Sequence, residues 1–287
     1  MGTTADKLDY LRETKEAIKT SLVNKGAEVT EKTPFREYAS AIDNLPTADG
    51  EETLNTINLT DFSHFFYAGS RWELWGAIDT RNGKNFDSMY AETTIFGTTE
   101  VPPINTSNGT NFHNMFAGFY YLQKAPMLDL RKATTVERMF YACRKLKTVP
   151  ELDFSNVTNF SDLFYSCSDL ENLPFIDIIR GTTFSNMFAY CKKLKSVSLS
   201  KTSYNFSTSS FSNCLELTNV TIWQGWAASI YLNYSEKLTV ESLHGMIENL
   251  ADLTGLLAKT FQVGSTNLAK IDEEHITMLQ NKNWNYS

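Results

Sequence analysis

Apolar residues in this chain follow two alternating rhythms, and the alternation itself repeats. Phe160, Leu163, Phe164 and Cys167 stand at i, i+3, i+4 and i+7, the spacing of one face of a helix. Val136, Met139, Phe140 and Cys143 keep that spacing, as do Phe184, Met187, Phe188 and Cys191. A threonine stands just ahead of each run (Thr134 or Thr135, Thr158, Thr183) and predicts the N-cap of a short helix. An extended rhythm follows in Leu194-x-x-Val197-x-Leu199 and Leu217-x-x-Val220-x-Ile222, where alternate residues face one side, as in a half-buried strand. Val149-Pro150 and Leu173-Pro174 put proline at the strand entry, where a missing N–H is tolerated.

The register of these segments is nearly constant. Asn58–Glu73 aligns without a gap on Asn156–Glu171, and the match continues to Ile78-Asp79 over Ile176-Asp177. The second aromatic of the motif falls at Phe66, Tyr90, Phe116, Phe140, Phe164, Phe188 and Phe211, in steps of 24, 26, 24, 24, 24 and 23. One such unit cannot bury its apolar face alone, so neighbours must stack into a continuous core. The pattern predicts an α/β repeat: a curved solenoid with a parallel strand ladder, in which the short helix serves as crossover.

Both ends break the period. Residues 1–50 are charge-rich and helical in pattern, with Leu8, Leu11, Ile18 and Leu22 on one stripe and Gly26 as a stop. Thr33-Pro34 opens a second helix whose apolar face is Phe35, Tyr38, Ile42 and Leu45. This segment reads either as a cap on the first repeat or as an attachment and oligomerisation module, and the second reading is preferred. After Ile222 the expectation is a helix with Leu243, Ile247 and Leu250 inward, a strand at Thr260-Phe-Gln-Val, and a helix from Ile271 that ends at Asn283, with Trp284 packing back. The expected division is thus 1–50, a solenoid over 51–222 of about seven units of 23–26 residues, and an α/β C-terminal cap over 223–287.

The motif Phe/Met-x-x-Met/Leu-Phe-x-x-Cys-x-x-Leu-x-x-Leu/Val-Pro-x-Leu/Ile-Asp resembles the BspA-like leucine-rich repeats of bacterial surface proteins. The stretch Asn156-Val-Thr-Asn-Phe-Ser-Asp-Leu-Phe-Tyr-Ser-Cys-Ser-Asp-Leu170 is the nearest to it. The resemblance runs from about Asn58 to Ile222 and implies a right-handed leucine-rich-repeat solenoid with a binding or structural role. Units one and two depart from it, with Trp72 and Trp75 in place of leucine and Ile95-Phe96-Gly97 lacking a leucine column, so the first turns are expected to be irregular. The segment from Thr14 through Lys25-Gly26 to Thr33-Pro34-Phe35 and Ile42 is similar to N-terminal helical segments of structural proteins of tailed bacteriophages. That similarity implies a virion-anchoring module ahead of a binding domain.

Composition narrows the partners. The chain has 287 residues and a formal net charge of -7, which argues against a nucleic-acid or anionic-membrane binder. No signal peptide is visible at Met1, and no apolar run reaches the length of a membrane span. Phe 19, Tyr 13 and Trp 5 are many aromatics with no cofactor motif to use them. Cys143, Cys167, Cys191 and Cys214 share one repeat position and lack the close pairs of a zinc site, so they read as a buried column. His64, His113, His244 and His275 make no recurrent nucleophile–base order, and Asp129, Asp153 and Asp177 recur as turn residues. Neither catalytic residues, nor metal ligands, nor a cofactor are expected.

The column after the second aromatic holds Tyr67, Tyr141 and Tyr165, and Phe119, Tyr120 and Tyr121 form a further aromatic cluster. These six are the expected partner-binding surface, with half-buried core edges as the other reading. The expected function is a non-enzymatic bacteriophage virion protein, such as a fibre, baseplate or capsid decoration. Its N-terminal module (Leu8, Leu11, Ile18, Leu22, Phe35, Tyr38) would hold other virion proteins and a homo-oligomer, and its repeats would hold a host surface protein or glycan. It would assemble in the host bacterial cytoplasm. The alternative is a bacterial cell-surface leucine-rich-repeat adhesin.

Overall fold

The computed structural model describes Lys19 and residues 56–68, 78–95 and 97–287. The expected N-terminal module, with Leu8, Leu11, Ile18, Leu22, Phe35 and Tyr38, lies outside the described residues, as do Trp72, Trp75 and Phe96. Over the described residues between 56 and Ile222 the chain is a stack of turns in which each unit lies on its counterpart about 24 residues away. One column of parallel bridges runs Asp61–Asn85–Asn111–Thr135–Asn159–Thr183. On a second side, β1 (Ser196–Leu199) pairs parallel with β2 (Asn219–Ile222), with Val197 opposite Val220. These are the strands expected from the alternating apolar residues. Earlier units have only single bridges there, such as Lys124–Thr148 and Asn172–Ser196. Pro126, Pro150 and Pro174 sit at that level and bring no N–H to extend the ladder.

The short crossover helices are not formed. Each expected helix is instead a pair of four-residue turns set end to end. In one unit Met139 N–H donates to Val136 O at 3.0 Å and Cys143 N–H to Phe140 O at 3.2 Å. The third residues of these turns, Arg138 and Ala142, have φ of 57° and 56°. His64, Ser88, Asn114, Asp162 and Asn186 repeat the first of these left-handed positions, and Ala68, Glu92, Gly118, Ser166, Tyr190 and Asn213 the second. In that unit the residues that open and close the turns (Val136, Met139, Phe140, Cys143) are buried, and the middle pairs Glu137–Arg138 and Tyr141–Ala142 are half-buried. Two back-to-back turns therefore write the same i, i+3, i+4, i+7 pattern as a helix.

Tertiary hydrogen bonds decide between the two. Val136, Arg138, Phe140 and Ala142 N–H donate to Asn159, Ser161, Leu163 and Tyr165 O of the following unit, at 2.7–3.1 Å. In a helix those N–H groups would be spent on i−4 carbonyls. The threonines change role with them. Thr134 and Thr158 donate both N–H and Oγ1 to the carbonyl one unit earlier, Thr110 and Thr134 respectively. Thr183 Oγ1 donates to Asn159 Oδ1 at 2.7 Å, and only Thr135 accepts locally, from Glu137 N–H at 3.2 Å.

Constant register makes the core a set of columns. One is an unbroken ladder of rings, Phe66, Tyr90, Phe116, Phe140, Phe164, Phe188 and Phe211, with centroids 5.1–6.1 Å apart and planes within 27°. A second runs Phe62–Phe86–Phe112, is interrupted by Val136, resumes Phe160–Phe184–Phe206 and ends on Trp226. Gly83 precedes Phe86 because a Cβ there would stand 2.5 Å from the Phe86 ring. Offset-stacked pairs at such distances contribute about 0.5–1.5 kcal/mol beyond their buried area.

The last ladder strand is closed by an α/β segment. Helix α1 (Val240–Asn249), N-capped by Thr239, buries Leu243, Met246 and Ile247. Its Ser242 Oγ accepts Val220 N–H at 2.8 Å and donates to Val220 O at 3.3 Å, so the edge of β2 is satisfied by a side chain. Strands β3 (Ile230–Tyr231), β4 (Lys259–Gln262) and β5 (Trp284–Tyr286) form a parallel sheet in that order. Helices α2 (Ser265–Leu268) and α3 (Glu273–Asn281) lie between β4 and β5, and Asn283 turns the chain with φ 59°. Lys282 Nζ donates to Ile247, Glu248 and Leu250 O at 2.8–3.0 Å and thereby caps the end of α1.

Two outcomes are expected. Phe140→Ala, in mid-ladder, should lose about 3–5 kcal/mol in urea denaturation, while Tyr67→Ala should lose no more than about 0.5 kcal/mol; equal losses would contradict the ladder. The Asp79, Asp129 and Asp153 carboxylates each accept the N–H two residues on. The Arg81 N–H and guanidinium, the Arg131 guanidinium, and the Ser155 hydroxyl and N–H hold these carboxyls below their ordinary value of 3.8. Depressed carboxylates stabilise the fold above the unfolded value and lose that effect as pH falls through the folded values. Thermal melting should therefore weaken as pH drops below 3.8, and Asp129→Asn should flatten that dependence.

Candidate binding surface

The middle residues of the linked turns face outward except where they are small and buried (Ser88, Ala91, Ala117 and Ala189), and the outward side chains make the surface. Tyr141 and Tyr165 occupy the same position in successive units and stack with centroids 4.8 Å apart and planes 7° from parallel. The Arg138 guanidinium lies 4.2 Å over the Tyr141 ring, a cation–π contact. Tyr190 extends the strip, tilted against Tyr165 at 5.3 Å. It stands one position later in its unit, where φ is 63°, and is exposed.

The other expected surface residues are dispersed. Tyr67 is 49% exposed but lies three units earlier, with buried Ala91 and Ala117 in the same column between it and Tyr141. Tyr120 and Tyr121 are half-buried and meet edge to face at 4.9 Å. Phe119 is not a surface residue: it is 0% exposed. It follows Phe116 by three, as Cys143 follows Phe140, so it fills the cysteine column of its unit and closes a turn on Phe116 O.

The groups that carry chemistry in other proteins are engaged here in structure. Each of the four cysteines is a free, buried thiol. Cys143, Cys167, Cys191 and Cys214 donate to the carbonyls of Phe116, Phe140, Phe164 and Phe188 at 3.0–3.2 Å. Burial pushes all four thiols up, Cys214 to about 12, which removes thiolate reactivity near neutral pH. Asp129, Asp153 and Asp177 accept N–H groups two residues ahead and shape turns. His113 Nδ1 lies 3.1 Å from Asp87 Oδ1, and that hydrogen bond raises the imidazole above its ordinary value.

Three features escaped the pattern of the sequence. Tyr190 sits one residue off the tyrosine column, and its place directly before Cys191 is the signal that could have found it. Phe175 and Trp223 are exposed and stack at 4.8 Å, bridging the unit between them. Both are apolar residues on the outward phase of the strand rhythm. His244 meets Asp272 and His275, which belong to a later part of the chain, in the cap. Beside the tyrosine strip, Lys145 and Lys193 flank Asp169 at 3.2 and 2.7 Å and form a charged rim across three units.

Comparison with known families matches two overlapping parts of the chain. Residues 114–233 match the BspA type leucine rich repeat region, in six copies. Residues 35–150 match a family described as Mycoplasma protein of unknown function. No curated protein and no solved structure gave a significant match. The tyrosine strip, the charged rim and the cysteine column all fall within the BspA-type repeats.

Proposed function

We propose that this BspA-like leucine-rich-repeat chain is a non-enzymatic binding protein that holds a partner protein, or a host surface glycan, on the strip Arg138–Tyr141–Tyr165–Tyr190. The observation that carries the reading is the Tyr141–Tyr165 stack on the outward face of the turns, with Arg138 over it. Tyrosine and arginine are the residues enriched at interface hot spots, because each presents a large area with few rotors or a rigid fork. Here the hydrogen-bonded turns hold the rings in place before any partner arrives, which lowers the ordering cost of binding. The BspA-type match supports a protein-binding or surface adhesin-type role.

The finer reading is a bacteriophage fibre, baseplate or capsid decoration protein assembled in the host cytoplasm, and its only support is the resemblance read from the sequence of residues 14–42. The two family matches name BspA-type repeats and a Mycoplasma protein, and neither names a virion component. In this reading residues 1–50 bind other virion proteins and make the chain a homo-oligomer, with no nucleic acid bound and no membrane inserted. Among the described residues, no helix is long and apolar enough to cross a membrane. A bacterial cell-surface adhesin is the alternative.

Two experiments test these claims. Tyr141→Ala, Tyr165→Ala and Tyr190→Ala should leave the melting transition nearly unchanged, and each should weaken capture of a bacterial surface protein or glycan. A hot-spot loss of about 2 kcal/mol corresponds to roughly thirtyfold; capture unaffected by the triple variant would refute the strip. Deleting residues 1–50 should keep the cooperative melt of the repeats and reduce the mass in light scattering to that of one chain. An unchanged oligomeric mass would remove the anchoring role, and absence of the protein from mass spectra of purified virions would leave the adhesin reading.

A further inference from the structure

We propose that the C-terminal cap carries a divalent metal site of the zinc, nickel or cobalt class, built from His244, His275 and Glu248, with Asp272 behind His275 as the carboxylate that orients it. Two helices supply it. On α1, His244 and Glu248 are four residues apart and share a face. On α3, Asp272 is the N-cap and His275 follows three residues later. The packing of α1 on α3 brings the pairs together, and one donor atom from each of His244, Asp272 and His275 lies within 4.8 Å of the others.

The hydrogen bonding prepares the imidazoles as ligands. Asp272 Oδ1 accepts His275 N–H at 2.9 Å and stands 2.7 Å from His275 Nδ1. That contact assigns the ring proton to Nδ1 and leaves Nε2 as a bare lone pair, the carboxylate–histidine arrangement that orients metal-bound imidazoles. His275 is 7% exposed. The Nε2 atoms of both His275 and His244 are buried and have no hydrogen-bond partner. The acids beside them stand just beyond hydrogen-bonding contact: Glu248 Oε1 is 3.5 Å from His275 Nε2, and Asp272 Oδ2 is 3.7 Å from His244 Nε2.

The imidazole rings stack at 3.6 Å with planes 15° apart, so both lone pairs meet one ion only when the His244 ring turns out of the stack. A single dication satisfies both lone pairs and is neutralised by the two carboxylates. Two imidazoles with a carboxylate suit zinc, nickel or cobalt, whereas magnesium and calcium prefer all-oxygen sets. Asp272 and Glu248 are more than half exposed, so the ion has a path from solvent. Bound there, it would tie α3 to α1, the helix whose Ser242 closes β2.

The test uses the full-length chain freed of any affinity tag and stripped with EDTA. Titration calorimetry with zinc chloride should give saturable binding of one ion per chain and a raised melting temperature, while magnesium chloride should give neither. His244→Gln and Glu248→Gln should keep the metal-free melt and circular dichroism, and each should weaken zinc binding at least tenfold. His113→Gln, in the repeats, should bind as the parent does. Glu248→Gln lies on an exposed side chain and keeps the test sound if His244→Gln folds poorly. No saturable zinc binding, or zinc affinity untouched by Glu248→Gln and by a folded His244→Gln, would overturn the site.

Discussion

Each turn of the stack sends alternate N–H groups, such as those of Val136, Arg138, Phe140 and Ala142, to carbonyls of the next turn. They have partners only if another turn lies in register one strand spacing away. An unpaired buried N–H costs about as much as a lost hydrogen bond, so a single unit has no stable form in isolation. This requirement explains the left-handed residues, which rotate every second N–H out of the local turn. It explains the threonine column, whose hydroxyls double the contacts between units. It also explains why the end needs a cap, since the last strand would otherwise offer the same groups to another chain.

Register then divides the side chains by position. Turn-opening and turn-closing residues point into the stack and form the phenylalanine ladders, the methionines and the cysteine line. Middle residues that point out are free to vary in chemistry, so a tyrosine strip and a lysine–aspartate rim stand over an aromatic core without disturbing it, while the middle positions that face in hold small residues such as Ala91 and Ala117. The cysteines illustrate how position outweighs chemical identity. The same thiol that would be a nucleophile at a surface is here a small apolar filler with one weak hydrogen bond to a carbonyl.

Much of the burial was legible because it rests on spacing alone. The period, the inward columns, β1, β2 and the cap elements α1, β4 and α3 follow from which positions are apolar, whereas β3, α2 and β5 did not show in the pattern. The crossover helix was misread because four-residue turns in series and an α-helix bury the same positions, and nothing local separates them. The surface was legible only in part. Tyr141 and Tyr165 share a column and stack as that column implies. Tyr190 joins them because a left-handed residue swings its side chain back toward them. Phe119 was taken for surface because it adjoins two tyrosines, although counting three from Phe116 places it in the cysteine column.

The amino-acid sequence by itself determined the repeat length, the residues of the core and the places where the period stops, because hydrophobic burial depends on position along the chain. Tertiary structure decided the conformation within each unit, because the partners of the alternate N–H groups belong to the neighbouring unit about 24 residues away. It alone brought His244 and Glu248 to Asp272 and His275, since those residues meet only when α3 returns across α1.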